Sequence, residues 1–301
     1  MSYNRRNSLI FRFGLAVFAT VWPLRWLLLL SIPYGLLLLW LFQPGTVTDL
    51  SPSRLLEVTE DPVWKAPDEN HWFGTTSHGS DLFELSRMAI GTSVAWGITT
   101  ASLGLAAALF FAVILAMLDG GQKASWVAMV ERGWRGWRLI PAMAVLIVVG
   151  GSGGNLGVTL LTVAALVALA LTPVLREWIH EKATEEQFLM GLAVGLTPFQ
   201  FLYNRVLPDL GARLLGVLAG LIPALTLAEM ALASTGLSGD RPSAGVLIAA
   251  GTRFLSEAPW LAVGPGALAT AVVVVLSALG GVVQSRVAKD RLGGAGLPRI
   301  L

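Results

Sequence analysis

The sequence predicts an all-α integral membrane protein, a bundle of about six transmembrane helices, and two observations support this fold class. Of the 301 residues, 54% are hydrophobic and only 13% are charged, whereas about 25% of the residues of a soluble domain are charged. The apolar residues also occur in long uninterrupted runs, unlike the alternating pattern of membrane barrel strands. Because lipid offers the backbone no hydrogen-bond partners, such runs must form helices.

Six apolar runs are predicted to cross the bilayer, which takes a helix of about 20 residues. In order, they cover residues 26–42, 88–118, 139–149, 157–175, 214–237 and 260–284. The first follows a basic segment, 1–25, which we expect to be retained because no convincing small-residue cleavage site precedes the span. The third is short and is expected to start within interfacial residues 134–138. Six spans place both termini on one side of the membrane.

Lys and Arg residues are concentrated on the side of the termini. That side carries 16 of the 21 basic residues, and the positive-inside rule therefore predicts that both termini are cytoplasmic. The loop 43–87 is then external, and its residues 43–84 contain eight acidic and two basic residues. Residues 88–285 form a predicted five-helix core with a cytoplasmic loop, 176–213, and residues 286–301 form a cytoplasmic tail.

The loop 176–213 is longer than most loops in helix bundles and contains two helix-start signals. A capping box precedes an apolar run that ends at a glycine, and a second box follows with proline at its first helical position. Leu207-Pro208 is expected to end the second short helix. This helix pair either covers the ends of the spans at the membrane surface or forms a docking surface for a cytoplasmic partner. Its candidate contact residues are Thr184, Glu185, Glu186, Gln187, Leu192, Gly195, Arg205, Leu207 and Pro208.

The same loop resembles the coupling loop of permease subunits in binding-protein-dependent ABC importers. The loose signature of that family is Glu-Ala-Ala, three residues, Gly, nine residues, Ile, one residue and Leu-Pro. Gly195 and Leu207-Pro208 keep this spacing. Leu189-Met190-Gly191 replaces the triplet, and Arg205 stands where the isoleucine would be.

Three further segments resemble the dipeptide, oligopeptide and nickel importer class, in its subunit type with a short external loop. A turn motif before the second span resembles the family's His-Pro-Leu-Gly-Thr-Asp-x-x-Gly-Arg-Asp, and Gly91-Thr92-Ser93 continues it. Leu227-Ala228-Glu229 begins a segment in the fifth span that resembles the family's Leu-Ala-Glu-Ala-Ser-Leu, and Ala258-Pro259-Trp260 opens the sixth. The turn motif contains His71, Gly74, Thr75, Gly79 and Asp81.

The resemblance implies a subunit of a peptide or small-solute importer in a bacterial cytoplasmic membrane. Its expected partners are a second homologous permease, two cytoplasmic ABC ATPases and an external solute-binding protein, with no nucleic acid. ATP would be bound by the ATPase subunits, because this chain lacks the phosphate loop G-x-x-x-x-G-K-[ST]. The chain itself is therefore expected to be no enzyme and to need no cofactor.

Two other functions compete with this interpretation. A secondary transporter requires ion-coupling groups and usually internal repeats, whereas the predicted spans contain one deeply placed acid and no visible repeat. A non-transporting membrane assembly or scaffold subunit is the stronger of the two alternatives. A permease that no longer transports would show an altered triplet of this kind in its coupling loop. Recovery of ATPase subunits with the chain distinguishes the permease from both alternatives.

Glu229 is the carboxylate that lies deep in a predicted span. A charge at the centre of the bilayer costs about 2.5–3.5 kcal/mol, so this side chain should face protein or water. It is expected to be either a structural carboxylate or a residue of the transport pathway or its gate.

His71 and His78 lie seven residues apart in the external loop, close to Asp81, and could share a metal ion. The glycines of this motif favour a turn instead, after which Asp81 caps the helix leading into the second span, with Glu84 at the third helical position. The third histidine, His180, falls on the other side of the membrane, and no metal site is predicted.

Overall fold

The computed structural model describes residues 32–43, 64–119, 133, 156–183, 207–237 and 242–294. The chain divides into two compact units, Met1–Gln43 and Pro44–Leu301. In the first unit, the described residues form one short apolar helix, α1 (Ile32–Leu41). Helix α1 is the carboxyl-terminal part of the predicted span 26–42, and the rest of that span lies outside the described residues.

The described residues of the second unit are helical apart from the segment 64–81, which contains one isolated β-bridge, and short turns between helices. Stretches of four of its helices are long and apolar enough to cross a membrane, and the predicted fold class, an all-α membrane bundle, is confirmed. The predicted third span, 139–149, lies outside the described residues. The helices are α2 (Leu82–Asp119), α3 (Leu156–Ala183), α4 (Leu207–Ser234), α5 (Ala244–Thr252) and α6 (Trp260–Gly294).

The ends of the helices differ from the ends of the predicted spans, because a span was defined by its uncharged run and a helix continues wherever its backbone hydrogen bonds continue. Helix α2 begins at Leu82, inside the predicted loop 43–87. Helix α6 continues to Gly294, so the first part of the predicted tail 286–301 is helical. Helix α4 ends at Ser234, and the predicted end at residue 237 is instead a turn in which Gly236 has a φ of 79°.

The predicted loop 176–213 is also shorter than expected. Helix α3 extends to Ala183, and α4 begins at Leu207, which leaves residues 184–206 between them. The prediction that Leu207-Pro208 ends a helix is therefore wrong, since these residues start α4. Pro208 lies in the first turn, where its missing N–H removes no helical hydrogen bond.

Helix α5 is a nine-residue helix that the sequence analysis does not predict. Ser243 is its N-cap, and the Ser243 Oγ accepts a hydrogen bond of 3.3 Å from the Val246 N–H. At about 1.5 Å per residue the helix is too short to cross a bilayer. It packs against α2, α4 and α6.

Helix α2 lies at the centre of the second unit and packs against α3, α4, α5 and α6. Two buried apolar clusters lie toward its opposite ends. The cap cluster, at the amino-terminal end, contains Leu82, Leu85, Ala89, Leu247, Ala258 and Leu261. The loop-end cluster, where α3 ends and α4 begins, contains Leu105, Ala108, Ala112, Ala168, Leu175, Ile179 and Leu210.

Glycines allow these helices to approach closely. A Cβ atom at Gly97 of α2 would lie 2.5 Å from the Thr226 Oγ1 of α4, and one at Gly280 of α6 would lie 2.5 Å from the Ala219 carbonyl oxygen. A Cβ at Gly245 of α5 would overlap the Met230 carbonyl oxygen of α4. Small residues at helix contacts are typical of membrane bundles, where close backbone approach replaces the hydrophobic effect as the source of packing energy.

Candidate functional site

The turn motif before the second span forms a folded segment at the amino-terminal end of α2. The Asp81 Oδ1 accepts hydrogen bonds from the backbone N–H groups of Phe83 (2.8 Å) and Glu84 (3.2 Å), so Asp81 caps α2 as its position predicts. The Asp81 Oδ2 lies 3.0 Å from the His71 Nδ1. One carboxylate therefore satisfies the first turn of the helix and also holds the start of the motif against its end.

Gly74 lies where only glycine fits. Its φ of +76° is in the left-handed region, and a Cβ there would overlap the Lys65 carbonyl oxygen and lie 3.0 Å from the Trp260 ring. The Gly74 carbonyl oxygen accepts a hydrogen bond of 3.1 Å from the Leu82 N–H. The glycine thus lets the turn contact both the preceding segment, at Lys65, and the first residue of α6, Trp260.

Thr75 joins the turn to the preceding segment by two hydrogen bonds. Its N–H donates to the Lys65 carbonyl oxygen (3.1 Å), and its Oγ1 accepts from the Lys65 N–H (2.9 Å). Thr75 is only 2% exposed and forms an isolated bridge with Asp81. This polar residue is therefore buried, and both its N–H and its hydroxyl oxygen have hydrogen-bond partners.

Gly79 also has a left-handed φ, +78°, but nothing lies within 4 Å of the position of its Cβ. Its N–H donates to the Thr76 carbonyl oxygen (2.9 Å), and the Thr76 N–H donates to the Ser80 carbonyl oxygen (3.0 Å). Gly79 is needed for the conformation of a tight turn and makes no close packing contact.

Asp68 organises the beginning of the motif. Its Oδ1 accepts hydrogen bonds from the backbone N–H groups of His71 (2.6 Å) and Asn70 (2.9 Å). The hydrogen bond from His71, together with that from Asn70, lowers the pKa of Asp68, because both favour the charged carboxylate.

Aromatic rings attach this segment to the helices. Phe73 packs edge-on against Phe83 of α2, with ring centroids 5.2 Å apart, and a Cβ at Gly264 of α6 would lie 3.0 Å from the Phe73 ring. Trp64 packs edge-on against Phe254, which follows α5, at 5.2 Å. Aromatic residues are common at membrane interfaces, and here they hold the segment 64–81 against α2, α6 and the turn that follows α5.

The histidines of the external loop do not come together. His71 pairs with Asp81, whereas the His78 Nδ1 lies 3.2 Å from the neighbouring Ser77 Oγ. His180 belongs to α3. Within the part of the chain that the structure describes, no group of three or more His, Cys, Asp and Glu residues is arranged to hold a metal ion.

Glu229 is completely buried in α4. It lies three residues after Thr226, so the two share a face of the helix, and Thr226 lies at the close contact with Gly97 of α2. The buried Thr226 hydroxyl donates to the Ile222 carbonyl oxygen (2.8 Å). The expectation that Glu229 faces protein or water instead of lipid agrees with this burial.

Two hydroxyl residues of α2, Thr92 and Ser93, hold the start of α5 by hydrogen bonds. The Ser93 Oγ accepts a hydrogen bond of 3.2 Å from the Ala244 N–H, and the Thr92 Oγ1 donates to the Pro242 carbonyl oxygen. In the sequence these residues are visible only as part of Gly91-Thr92-Ser93. Because their partners lie about 150 residues away in the chain, sequence analysis does not assign them a role.

The predicted coupling residues Thr184, Glu185, Glu186, Gln187, Leu192, Gly195 and Arg205 lie outside the described residues. The ends of the two helices that flank them are described. There the Arg213 Nη1 of α4 lies 3.1 Å from the Glu181 Oε2 of α3, and the Arg213 guanidinium lies over the Trp178 ring, 5.4 Å from its centroid. In the sequence Arg213 is one of the 16 basic residues on the side of the termini, and no local pattern pairs it with residues more than 30 positions earlier.

No protein family model matches the chain. It is similar to the dipeptide transport system permease protein DppC of Alkalihalophilus pseudofirmus, with 24% identity over 247 residues that cover 77% of this chain and 76% of the relative. It is also similar to the oligopeptide transport system permease protein OppC of Bacillus subtilis, with 22% identity over 214 residues that cover 70% of this chain and 68% of the relative. The resemblance predicted from the sequence motifs, to permeases of the dipeptide and oligopeptide class, is confirmed by these relatives.

Proposed function

We propose that this chain, a relative of peptide-transport permeases, is the transmembrane permease subunit of an ABC importer. It forms half of the translocation pathway for peptides or similar small solutes, and separate ATPase subunits drive transport. The observation that carries this function is the similarity to two peptide permeases over 77% and 70% of the chain. The four apolar helices of the second unit agree with it.

The proposed complex contains a second homologous permease, two cytoplasmic ATPases and an external solute-binding protein. The exposed apolar side chains of the spans, such as Phe110, Leu161 and Val274, require lipid or another membrane subunit as their surroundings. ATP is bound and hydrolysed by the partner ATPases in this proposal, and the permease supplies the path.

The proposed orientation has both termini in the cytoplasm of a bacterial inner membrane. The excess of basic residues on the side of the termini, 16 of 21, supports it. Because the chain contains no cysteine, a single cysteine introduced at the half-buried Ser77 or the exposed Glu177 reports its own side. A membrane-impermeant thiol reagent should label Ser77→Cys in intact cells and should label Glu177→Cys only after the membrane is opened.

The coupling contact to the ATPases is proposed for the segment from Thr184 to Arg205, together with Leu207 and Pro208 at the start of α4. Its position supports this role, because α3 and α4 flank the segment and both pack against the central helix α2. Leu192→Pro or Arg205→Glu should lower transport-coupled ATP hydrolysis in the reconstituted complex. Unchanged hydrolysis in both variants would exclude this segment as the coupling contact.

The external turn motif is proposed to fix the outer ends of α2 and α6 relative to each other. Its hydrogen bond to Leu82 and its packing on Trp260 support that role. Glu229, one of the buried residues of α4, is proposed as a structural or gating carboxylate. Glu229→Gln keeps the shape of the side chain and removes its charge; normal transport by this variant would exclude a role of the charge in the pathway.

Affinity purification of the tagged chain from its native membrane tests the proposed function. Stoichiometric recovery of ATPase subunits and a second permease is the expected result. Recovery of a different membrane complex without ATPases would instead identify a non-transporting assembly subunit, the alternative that the replaced triplet Leu189-Met190-Gly191 favours.

A further inference from the structure

The two helices that flank the predicted coupling segment are linked directly at their ends. Glu181 lies in the last turn of α3 and Arg213 in the second turn of α4, and their side chains form an ion pair with an N–O distance of 3.1 Å. Each helix packs more extensively against α2 than against the other. The side chains of this pair therefore connect two helices that each pack mainly against α2.

The surroundings of Arg213 differ from those of an ordinary surface ion pair. Its side chain is only 10% exposed, whereas that of Glu181 is 59% exposed. Burial of a guanidinium is costly unless a partner compensates its charge, and here the carboxylate and the face of the Trp178 ring both do so. After removal of one partner, the other compensates only part of the charge.

Helix geometry explains why these three residues meet. Trp178 and Glu181 are three positions apart in α3 and lie on one face, and both contact Arg213. The partial negative charge at the carboxyl end of α3 also favours a nearby cation. Trp178 and Leu214 pack on the loop-end cluster, which gives the link an apolar base.

We propose that Arg213, Glu181 and Trp178 form a loop-end link that makes α3 and α4 shift as one unit when an ATPase moves the segment between them. This inference rests on the proposed function. Without the link, a push on residues 184–206 would separate the ends of α3 and α4, because each helix is attached independently to α2. The three are positioning residues: they transmit a displacement and contact no substrate.

A distance measurement in the assembled complex tests the link. Because the chain has no cysteine, spin labels placed at the exposed Val174 and Leu215, through Val174→Cys and Leu215→Cys, are the only labels on the subunit. The complex, with its ATPases and binding protein in lipid nanodiscs, is measured without nucleotide and with ATP and vanadate. With the link intact, the label distance should be equal in both states; with Arg213→Met it should change by about 2 Å, the size of an ordinary helix shift.

ATP hydrolysis stimulated by the solute-binding protein provides the second readout. Glu181→Gln, at a mostly exposed position that folding tolerates, should lower the stimulation at least about fivefold, the lower range of allosteric coupling, while unstimulated hydrolysis stays the same. Glu177→Gln, which removes an exposed acid one turn earlier on α3, is the matched control and should leave stimulation unchanged. A contact that only stabilises the fold would lower both rates together with the yield of complex.

The outcomes separate the link from the proposed function. If the complex assembles and Arg213→Met and Glu181→Gln leave both the label distances and the stimulated hydrolysis unchanged, the link is overturned and the permease function stands. If the unmutated chain recovers no ATPase subunit, the permease function is overturned, and the link as a transmitting device is overturned with it.

Discussion

The two ends of the helical unit are held by different kinds of contact. At the amino-terminal end of α2, backbone hydrogen bonds, a helix cap and glycine contacts hold the turn motif, α5 and α6 in place. At the opposite end, α3 and α4 are joined by long side chains, through Arg213, Glu181 and Trp178. Backbone contacts set the separation of two elements more closely than an ion pair of long side chains does. In the proposed link, the first end is therefore the fixed end and the second the movable end.

The largest effect should come from Gly245→Ala at the fixed end. The added Cβ would overlap the Met230 carbonyl oxygen, and because that atom belongs to the backbone of α4, one helix must be displaced. Overpacking of this kind should destabilise the fold by about 3 kcal/mol or more, measured as the loss of thermal stability in detergent. Gly266→Ala is the matched control, since nothing lies within 4 Å of its Cβ. Equal stability of the two variants would show that α5 is not tightly packed.

A second pair of glycine variants separates backbone conformation from packing. Gly74→Ala and Gly79→Ala both force alanine into a left-handed conformation, at about 1–2 kcal/mol each. Only Gly74→Ala also meets the Lys65 carbonyl oxygen and the Trp260 ring. It should be less stable than Gly79→Ala by about 1–3 kcal/mol. A similar loss in both variants would mean that the turn does not rest on α6.

Removal of the helix cap should have a moderate effect. Asp81→Ala deletes the acceptor for the Phe83 and Glu84 N–H groups, which should cost about 1 kcal/mol of unfolding free energy. Asp81→Asn retains a side-chain oxygen at the same place and should keep most of the unfolding free energy that Asp81→Ala loses. If asparagine is as harmful as alanine, the negative charge beside His71 is the important property, and not the cap.

The movable end should contribute less to stability. Glu181→Gln should lower the unfolding free energy by about 1 kcal/mol or less, because Glu181 is more than half exposed and solvent screens such pairs. The difference from Glu177→Gln should shrink further in high salt. A loss as large as that of Gly74→Ala would mean that this end is as rigid as the other.

The smallest effect is expected from acid at Asp68. Its pKa in the folded protein is lowered from the ordinary value of 3.8, so its contribution to the stability of the turn is present above that value and is lost as the pH falls through the folded pKa. Amide hydrogen exchange at Asn70 and His71 should speed up over this acid range beyond the intrinsic pH dependence of exchange. Asp68→Asn keeps an acceptor oxygen and should remove the extra pH dependence.

Features that depend on nearby residues could be predicted from the sequence. Asp81 caps α2, and Gly74 and Gly79 adopt turns, because a cap and a left-handed glycine are determined by residues a few positions apart. The extents of the helices were predicted less well from the apolar runs alone. The uncharged run of the second span starts at residue 88, whereas α2 starts at Leu82, directly after the predicted Asp81 cap, because charge is no obstacle to a helix outside the bilayer.

The sequence by itself determined that this protein is a helical membrane bundle with a capped turn motif before the second span and a Glu229 that avoids lipid, because apolarity, caps and the cost of a charge in lipid are properties of short segments. Only the tertiary structure revealed that α5 packs against α4 at Gly245, that Thr92 and Ser93 bind the start of α5, and that Arg213 pairs with Glu181. Each of these joins residues that are remote in the chain, and the packing of helices on α2, not any local pattern, decides which of them meet.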